Sequence, residues 1–246
     1  MTSSVSILIL TYNRLKLSST YIPDIISKMG DVKYEVLIWD NHSEDGSYDW
    51  LYEYAKADCR ITKIFAGEKN YGLEAINFLA EEAKSDFILK VDDDIIVPKN
   101  FAQDLVDAYV QFNHDKLLYL GYDMHWGNTE SFALRSGKKL YKNPLGTTHR
   151  IDHNKTMYIC YKPDFWMVNG VCRLSPREQF LKAGGHPKGV IYGSDRLISK
   201  AAGEAGYWIG YLNTKTLVTH MGISDSHTYR SFKDRELQRV GSPLHV

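Results

Sequence analysis

The sequence predicts an α/β fold with a largely parallel central sheet and a less regular second half. Apolar, β-branched runs at residues 5–10, 34–39, 61–66 and 87–91 recur about every 25–30 residues. The intervening stretches have helical spacing, as in Leu73, Ile76, Leu79, Ala80 and Ala83, or Leu51, Tyr54 and Ala55 after the turn at 45–47. Strands alternating with helices at this interval build βαβ units, whose strands run parallel. Residues 121–156 are rich in Gly, Asn, His and Tyr and lack a period, which predicts loops or an irregular hairpin.

Farther along, local chemistry marks shorter elements. Ser175-Pro176-Arg177-Glu178 is predicted to start a helix: Ser caps it, Pro fits the first turn, and Glu completes a capping box. Gly184-Gly185 ends that helix. A second helix is expected over 194–204, ending at Gly206, and a short strand at 216–219. The polar last 24 residues read as a tail or a lid.

Composition narrows the functional classes. Thirty Lys+Arg balance thirty Asp+Glu, which gives no support for a broad nucleic-acid face or a polybasic membrane tether. The 43% apolar content is ordinary for a soluble domain. Cys59, Cys160 and Cys172 form no C-x-x-C, which argues against a disulfide framework or a cysteine zinc site and for a reducing compartment. The longest apolar runs are about six residues, against roughly 20 needed to cross a bilayer, so no integral membrane segment is expected. Residues 1–4 lack a basic side chain, so a secretory leader is not expected either, and the location read from the sequence is cytoplasmic.

The chemistry concentrates at strand ends. The first run ends at Thr11-Tyr12-Asn13-Arg14, the second at Asp40-Asn41-His42-Ser43 and the fourth at Asp92-Asp93-Asp94. The carboxyl ends of parallel strands are where open α/β sheets bind ligands. Three adjacent carboxylates after an apolar strand repel one another and lose hydration, and a divalent cation relieves both costs. Hard oxygen ligands suit Mg²⁺, Mn²⁺ or Ca²⁺. The alternative is a solvated acidic turn that caps the helix after Pro98.

Residues 5–14, 36–47, 70–77 and 88–98 resemble successive motifs of family 2 glycosyltransferases with the GT-A fold. Residues 170–185, then Tyr192-Gly193-Ser194-Asp195 and His220, resemble that family's acceptor half. The resemblance covers about residues 4–222. It implies a single GT-A domain, 1–246, with a nucleotide-sugar half at 1–98, an acceptor half at 99–222 and the tail at 223–246. It also implies a nucleotide-sugar donor, a saccharide or glycan acceptor and a divalent metal, Mn²⁺ or Mg²⁺.

The resemblance also implies roles for single residues. Asp40 accepts a hydrogen bond from the nucleotide base, a role that suits a uracil imide and favours UDP, with dTDP and GDP open. Thr11 and Asn13 line the nucleoside pocket, Tyr12 lies beside the base, and Arg14 adjoins them. Asn70, Gly72 and Asn77 lie near the nucleotide. Asp92 and Asp94 take the D-x-D positions, with Asp93 between them. Asp94 is the chief metal ligand, Asp92 reaches the ribose or the metal, and His220 adds a further metal contact. Asp195 is the general base, with Ser194 where the family often shows Glu, and attack opposite the diphosphate inverts the anomeric centre. Trp126, Trp166 and Tyr192 fall in segments expected to meet the acceptor, where aromatic faces pack on sugars. His227, Arg230 and Arg235 would belong to a solvated C-terminal helix or fold over the diphosphate.

Two other readings use the same residues. A Mg²⁺ phosphohydrolase would use Asp92 as nucleophile, although the residues at 95–98 do not supply the small-residue turn that chemistry needs and Asp40 has no task. A non-catalytic module of the same fold would bind nucleotide or carbohydrate without turnover.

Overall fold

Strand β1 (Ser4–Thr11) is the axis of the nucleotide-side half, with β2 (Lys33–Asp40) on one side and β4 (Phe87–Asp92) on the other, both parallel to it. The computed structural model describes residues 3–126, 149–151, 157–160, 168–190, 194–212, 214 and 216–221. Between these strands lie α1 (Leu15–Ser27), α2 (Ser47–Ala57), β3 (Ile61–Ala66), a 3₁₀ turn (Gly72–Glu74) and α3 (Ala75–Glu82). The alternation expected from the apolar rhythm is therefore present, with strand bounds within one or two residues of the expected ones.

Beyond β4 come β5 (Ile95–Ile96), α4 (Phe101–Phe112), β6 (Leu117–Gly121), β7 (Met124–Trp126), β8 (His149–Ile151) and β9 (Met157–Cys160). They are followed by β10 (Cys172–Pro176), α5 (Arg177–Lys182), α6 (Ser194–Glu204), β11 (Trp208–Leu212) and β12 (Val218–His220). The main sheet has nine strands in the order β3-β2-β1-β4-β10-β6-β11-β9-β8. Only β10 and β9 run against the other seven, as their antiparallel pairings with β4, β6, β11 and β8 show. Strands β8 and β9 pair antiparallel, and most of the 121–156 stretch for which loops or an irregular hairpin were expected lies outside the described residues. A smaller sheet, β5-β12-β7, lies beyond the D-x-D turn.

Strand alternation explains the layers, because successive side chains point to opposite faces. Val5, Ile7 and Ile9 of β1 pack with Val36, Ile38, Leu89 and Val91 against Ile22 and Ile25 of α1, Leu51 of α2 and Leu105 of α4. Leu8, Leu37 and Ile88 point the other way and meet Ile76 and Leu79 of α3, Phe180 of α5 and Ile198 of α6. The sheet is thus covered on both faces, which is why its central strands are apolar on both sides.

Two local expectations are corrected and one alternative is excluded. Ser175 and Pro176 do not open α5 as a capping box: they end β10, paired with Ile88 and Phe87, and the Arg177 N–H donates to the Asp86 carbonyl at 3.0 Å. Sheet pairing takes the residues that the local signal assigned to a cap. The last strand runs from Val218 to His220 rather than over 216–219, because its partners are Ile95, Ile96 and β7. Asp93 and Asp94 do not form a solvated cap, since both are buried and α4 starts from Asn100 without a side-chain cap bond. Gly184-Gly185 and Gly206 end their helices with positive φ as expected.

Candidate active site

Parallel register brings the polar strand ends side by side. Thr11 pairs with Asp40 across β1–β2, and Leu10 pairs with Asp92 across β1–β4. At the first end, Thr11 is buried and its hydroxyl lies 2.8 Å from Ser18 Oγ, which donates to Asp93 Oδ2 at 2.7 Å. The Thr11 hydroxyl is therefore part of an internal chain. Asn13, at φ 48°, stitches two loops: its N–H donates to Ser43 Oγ and its Oδ1 accepts the Glu44 N–H. Tyr12 is half-buried between Thr11 and Asn13.

At the second end, Asp40 is buried. Its Oδ2 accepts the Ser43 N–H at 2.8 Å, while Oδ1 has no hydrogen-bond partner among the described residues. A buried carboxylate oxygen without a donor is costly, and a ligand N–H would satisfy it. Asn41 draws the next loop in: Nδ2 donates to Asn70 Oδ1 and the Gly72 carbonyl, and Oδ1 accepts the Tyr71 N–H. Asn70 Oδ1 also accepts the Gly72 N–H, and Gly72 takes φ +59° in this turn. Asn70 and Gly72 are thus brought to the Asp40 strand end. Asn77 is oriented elsewhere, with both ends of its amide closed on the His186 backbone at 2.8 Å.

The third end holds the acidic triplet. Lys90 pairs with Asp92, and Arg14 Nη1 lies 3.1 Å from Asp93 Oδ1 and 2.7 Å from Asp94 Oδ2. Burial works against the Asp92 charge, but Lys90, then His220 and Arg14, outweigh it, and its carboxyl sits below the usual range. Burial pushes the Asp93 carboxyl above that range; Asp94 adds to the push and Arg14 opposes it. Two ion-paired cations face three carboxylates, so the triplet retains capacity for further positive charge.

His220 reaches this turn through the small sheet. It pairs with Ile95, the residue after Asp94, and the Met221 N–H donates to the Asp94 carbonyl at 2.8 Å. Its Nε2 lies 3.6 Å from Asp94 Oδ1. Asp92, Asp94 and His220 each offer a ligand atom, all within 4.8 Å of one another. Asp94 is 0% exposed, and its Oδ1 has no hydrogen-bond partner among the described residues. Two carboxylates and an imidazole around an orphaned buried oxygen fit a divalent cation of the Mn²⁺ or Mg²⁺ type.

Asp195 comes to the same edge from the first turn of α6. Its Oδ2 accepts the Gly170 N–H at 2.8 Å. One residue on, the Val171 carbonyl accepts the Asp92 N–H at 2.9 Å. The short segment 170–171 therefore touches both Asp195 and the D-x-D strand. A Cβ at 170 would lie 2.4 Å from Asp195 Oδ1, so any larger residue there has to push that carboxylate aside. Gly170→Ala is expected to displace the Asp195 carboxylate, to cost about 1–3 kcal/mol of stability by overpacking and to lower kcat more than donor affinity. Denaturant unfolding and steady-state kinetics check this.

Trp166, Tyr192, His227, Arg230 and Arg235 lie outside the described residues, and of Trp126 only the backbone place at the end of β7 is described. Lys90, Ser18 and Arg173 were not singled out from the sequence, and Asn41 was named only as part of a polar strand end. Lys90 and Arg173 carried a usable signal, since each is a cation inside a strand that is otherwise mostly apolar. Among the described residues no helix is long and apolar enough to cross a membrane.

The model for glycosyl transferase family 2 matches residues 6–169. No curated protein matches the chain significantly. Among solved structures, the mannosyltransferase PcManGT from Pyrobaculum calidifontis, in complex with GDP-Man and Mn²⁺, is 16% identical with a TM-score of 0.69, over 98% of this chain and 63% of that one. S. aureus TarS 1-349 in complex with UDP-GlcNAc is 16% identical with a TM-score of 0.63, over 88% of this chain and 58% of that one. GalNAc-T7 with UDP, GalNAc and Mn²⁺ is 18% identical with a TM-score of 0.65, over 89% of this chain and 44% of that one. These likenesses show the shared fold, and the chain spans less than two thirds of the length of each.

Proposed function

Because the chain belongs to glycosyl transferase family 2, we propose that it transfers a sugar, a hexose or a pentose, from a nucleoside-diphosphate donor to a hydroxyl acceptor with inversion. The observation that carries this reading is the Asp92–Asp94–His220 group, with its orphaned Asp94 oxygen, at the strand edge that also holds Asp40 and Asp195. The Mn²⁺ complexes of PcManGT and GalNAc-T7 support the metal assignment.

Each residue has a defined task. Asp40 Oδ1 accepts an N–H from the base, an arrangement that suits the uracil imide of UDP. Asn41, Asn70 and Gly72 shape the wall beside it. Asp94, Asp92 and His220 would hold a divalent cation, which would supply Lewis-acid stabilisation for the charge that grows on the diphosphate. Asp195 takes the proton of the acceptor hydroxyl as its oxygen bonds to the anomeric carbon and the sugar–phosphate bond breaks. Transfer to the face opposite the diphosphate inverts the configuration.

A thermal-shift screen of UDP-, dTDP- and GDP-sugars with Mn²⁺ tests the proposal. A donor at 100 times its Kd stabilises the native state by about 2.7 kcal/mol, or about 5–10 °C for a chain of this size. The shift is expected to vanish when the metal is chelated. No shift with any nucleotide-sugar in the presence of Mn²⁺ would overturn the reading.

A further inference from the structure

Two cations lie side by side inside the sheet. Arg173 of β10 pairs in register with Lys90 of β4, and both side chains are directed to the face covered by α3, α5 and α6. They are 2% and 5% exposed. Like charges buried on neighbouring strands are unfavourable unless each has its own counter-charge. Lys90 has Asp92. Arg173 Nη1 lies 3.4 Å from Asp195 Oδ1.

Arg173 is also held from other directions. Its guanidinium carbon lies 4.7 Å from the centroid of the Tyr119 ring, a cation–π contact. Its Nη2 lies 3.0 Å from His186 Nε2. A guanidinium can only donate, so His186 Nε2 is the acceptor and the imidazole is neutral. Burial, with Arg173 and Lys90 adding to it, keeps the His186 pKa well below its ordinary value. His186 is 1% exposed, and its backbone is locked in both directions by the Asn77 amide. A Cβ at Gly185 would lie 2.3 Å from Asn77 Oδ1, so this clamp depends on glycine.

We propose that Arg173, braced by His186 and Tyr119, is a positioning residue for the transfer step: it fixes the Asp195 carboxylate against Gly170 so that one oxygen faces the acceptor hydroxyl. The inference rests on the reading of Asp195 as the general base. Arg173 grips Oδ1 and the Gly170 N–H grips Oδ2, and each oxygen keeps a lone pair for the incoming proton. Asn77, matched by resemblance to a nucleotide-side position, acts here through His186 on the acceptor side.

A double-mutant cycle tests this. The rate is read as UDP release from UDP-glucose, UDP-galactose and UDP-GlcNAc with Mn²⁺, with water or a sugar as acceptor. Donor-site integrity is read as calorimetric binding of UDP with Mn²⁺. Arg173→Met is expected to lower kcat by about 10²-fold, the scale of a misplaced reacting group, and to leave UDP–Mn²⁺ binding unchanged. Arg173→Lys is expected to recover part of the loss. In the Asp195→Asn background, Arg173→Met is expected to have no further effect. His186→Phe, which keeps the core volume, should repeat the pattern if Arg173→Met does not fold. Equal loss in both backgrounds would mean that Arg173 supports only the fold, and an unchanged rate in Arg173→Met would give it no role; either overturns the inference. An unchanged rate in Asp195→Asn would overturn the base assignment itself, and this inference with it.

Discussion

Asp94→Ala is expected to lower sugar transfer by on the order of 10³-fold and to abolish its dependence on Mn²⁺. Lewis-acid stabilisation of a departing diphosphate is worth several kcal/mol, at about 1.4 kcal/mol per tenfold in rate. Asp94 is the buried member of the candidate metal group, and its Oδ1 has no hydrogen bond among the described residues, with His220 Nε2 nearby at 3.6 Å. Asp94 also accepts from Arg14 at 2.7 Å, but Arg14 retains Asp93 in the variant, so the turn keeps an ion pair. Steady-state rates with and without chelator check the prediction. A variant that retains both rate and metal response would remove Asp94 from the metal site.

Asp195→Asn is expected to cut kcat by about 10²–10⁴-fold, the usual worth of a positioned general base, while donor affinity stays near wild type. The separation follows from placement. Asp195 sits on the Gly170 side, gripped by the Gly170 N–H and Arg173, whereas Asp40 and Asp94 each hold a buried carboxylate oxygen without a hydrogen bond among the described residues, suited to the base and the metal. Asparagine keeps the size but cannot take a proton, so binding and chemistry come apart. Single-turnover rates beside UDP–Mn²⁺ calorimetry separate the two.

The nucleotide side was legible in the sequence because each strand ends within a few residues of the polar cluster it presents. Thr11, Asp40 and Asp92 follow directly from apolar runs, and parallel register brings them together without long-range information. What surrounds them was less legible. His220 reaches Asp94 only because β12 pairs with β5, a contact between distant segments. Arg173 meets Asp195 only because β10 inserts antiparallel between β4 and β6. The same insertion claims Ser175 and Pro176, whose local signal was a helix cap. Asn77 shows a contact the sequence could not reveal, since both ends of its amide bond the backbone of His186, 109 residues away.

The most direct test of the metal assignment is Mn²⁺ binding, measured by titration calorimetry in the absence and presence of UDP, on the unaltered chain and on Asp94→Ala. Binding at one site that tightens when UDP is present is predicted for the unaltered chain, because a cation held by Asp92, Asp94 and His220 would attract the diphosphate, and such coupling is reciprocal. That coupling is predicted to be lost in Asp94→Ala. Equal Mn²⁺ affinity and equal UDP coupling in both proteins would contradict the account.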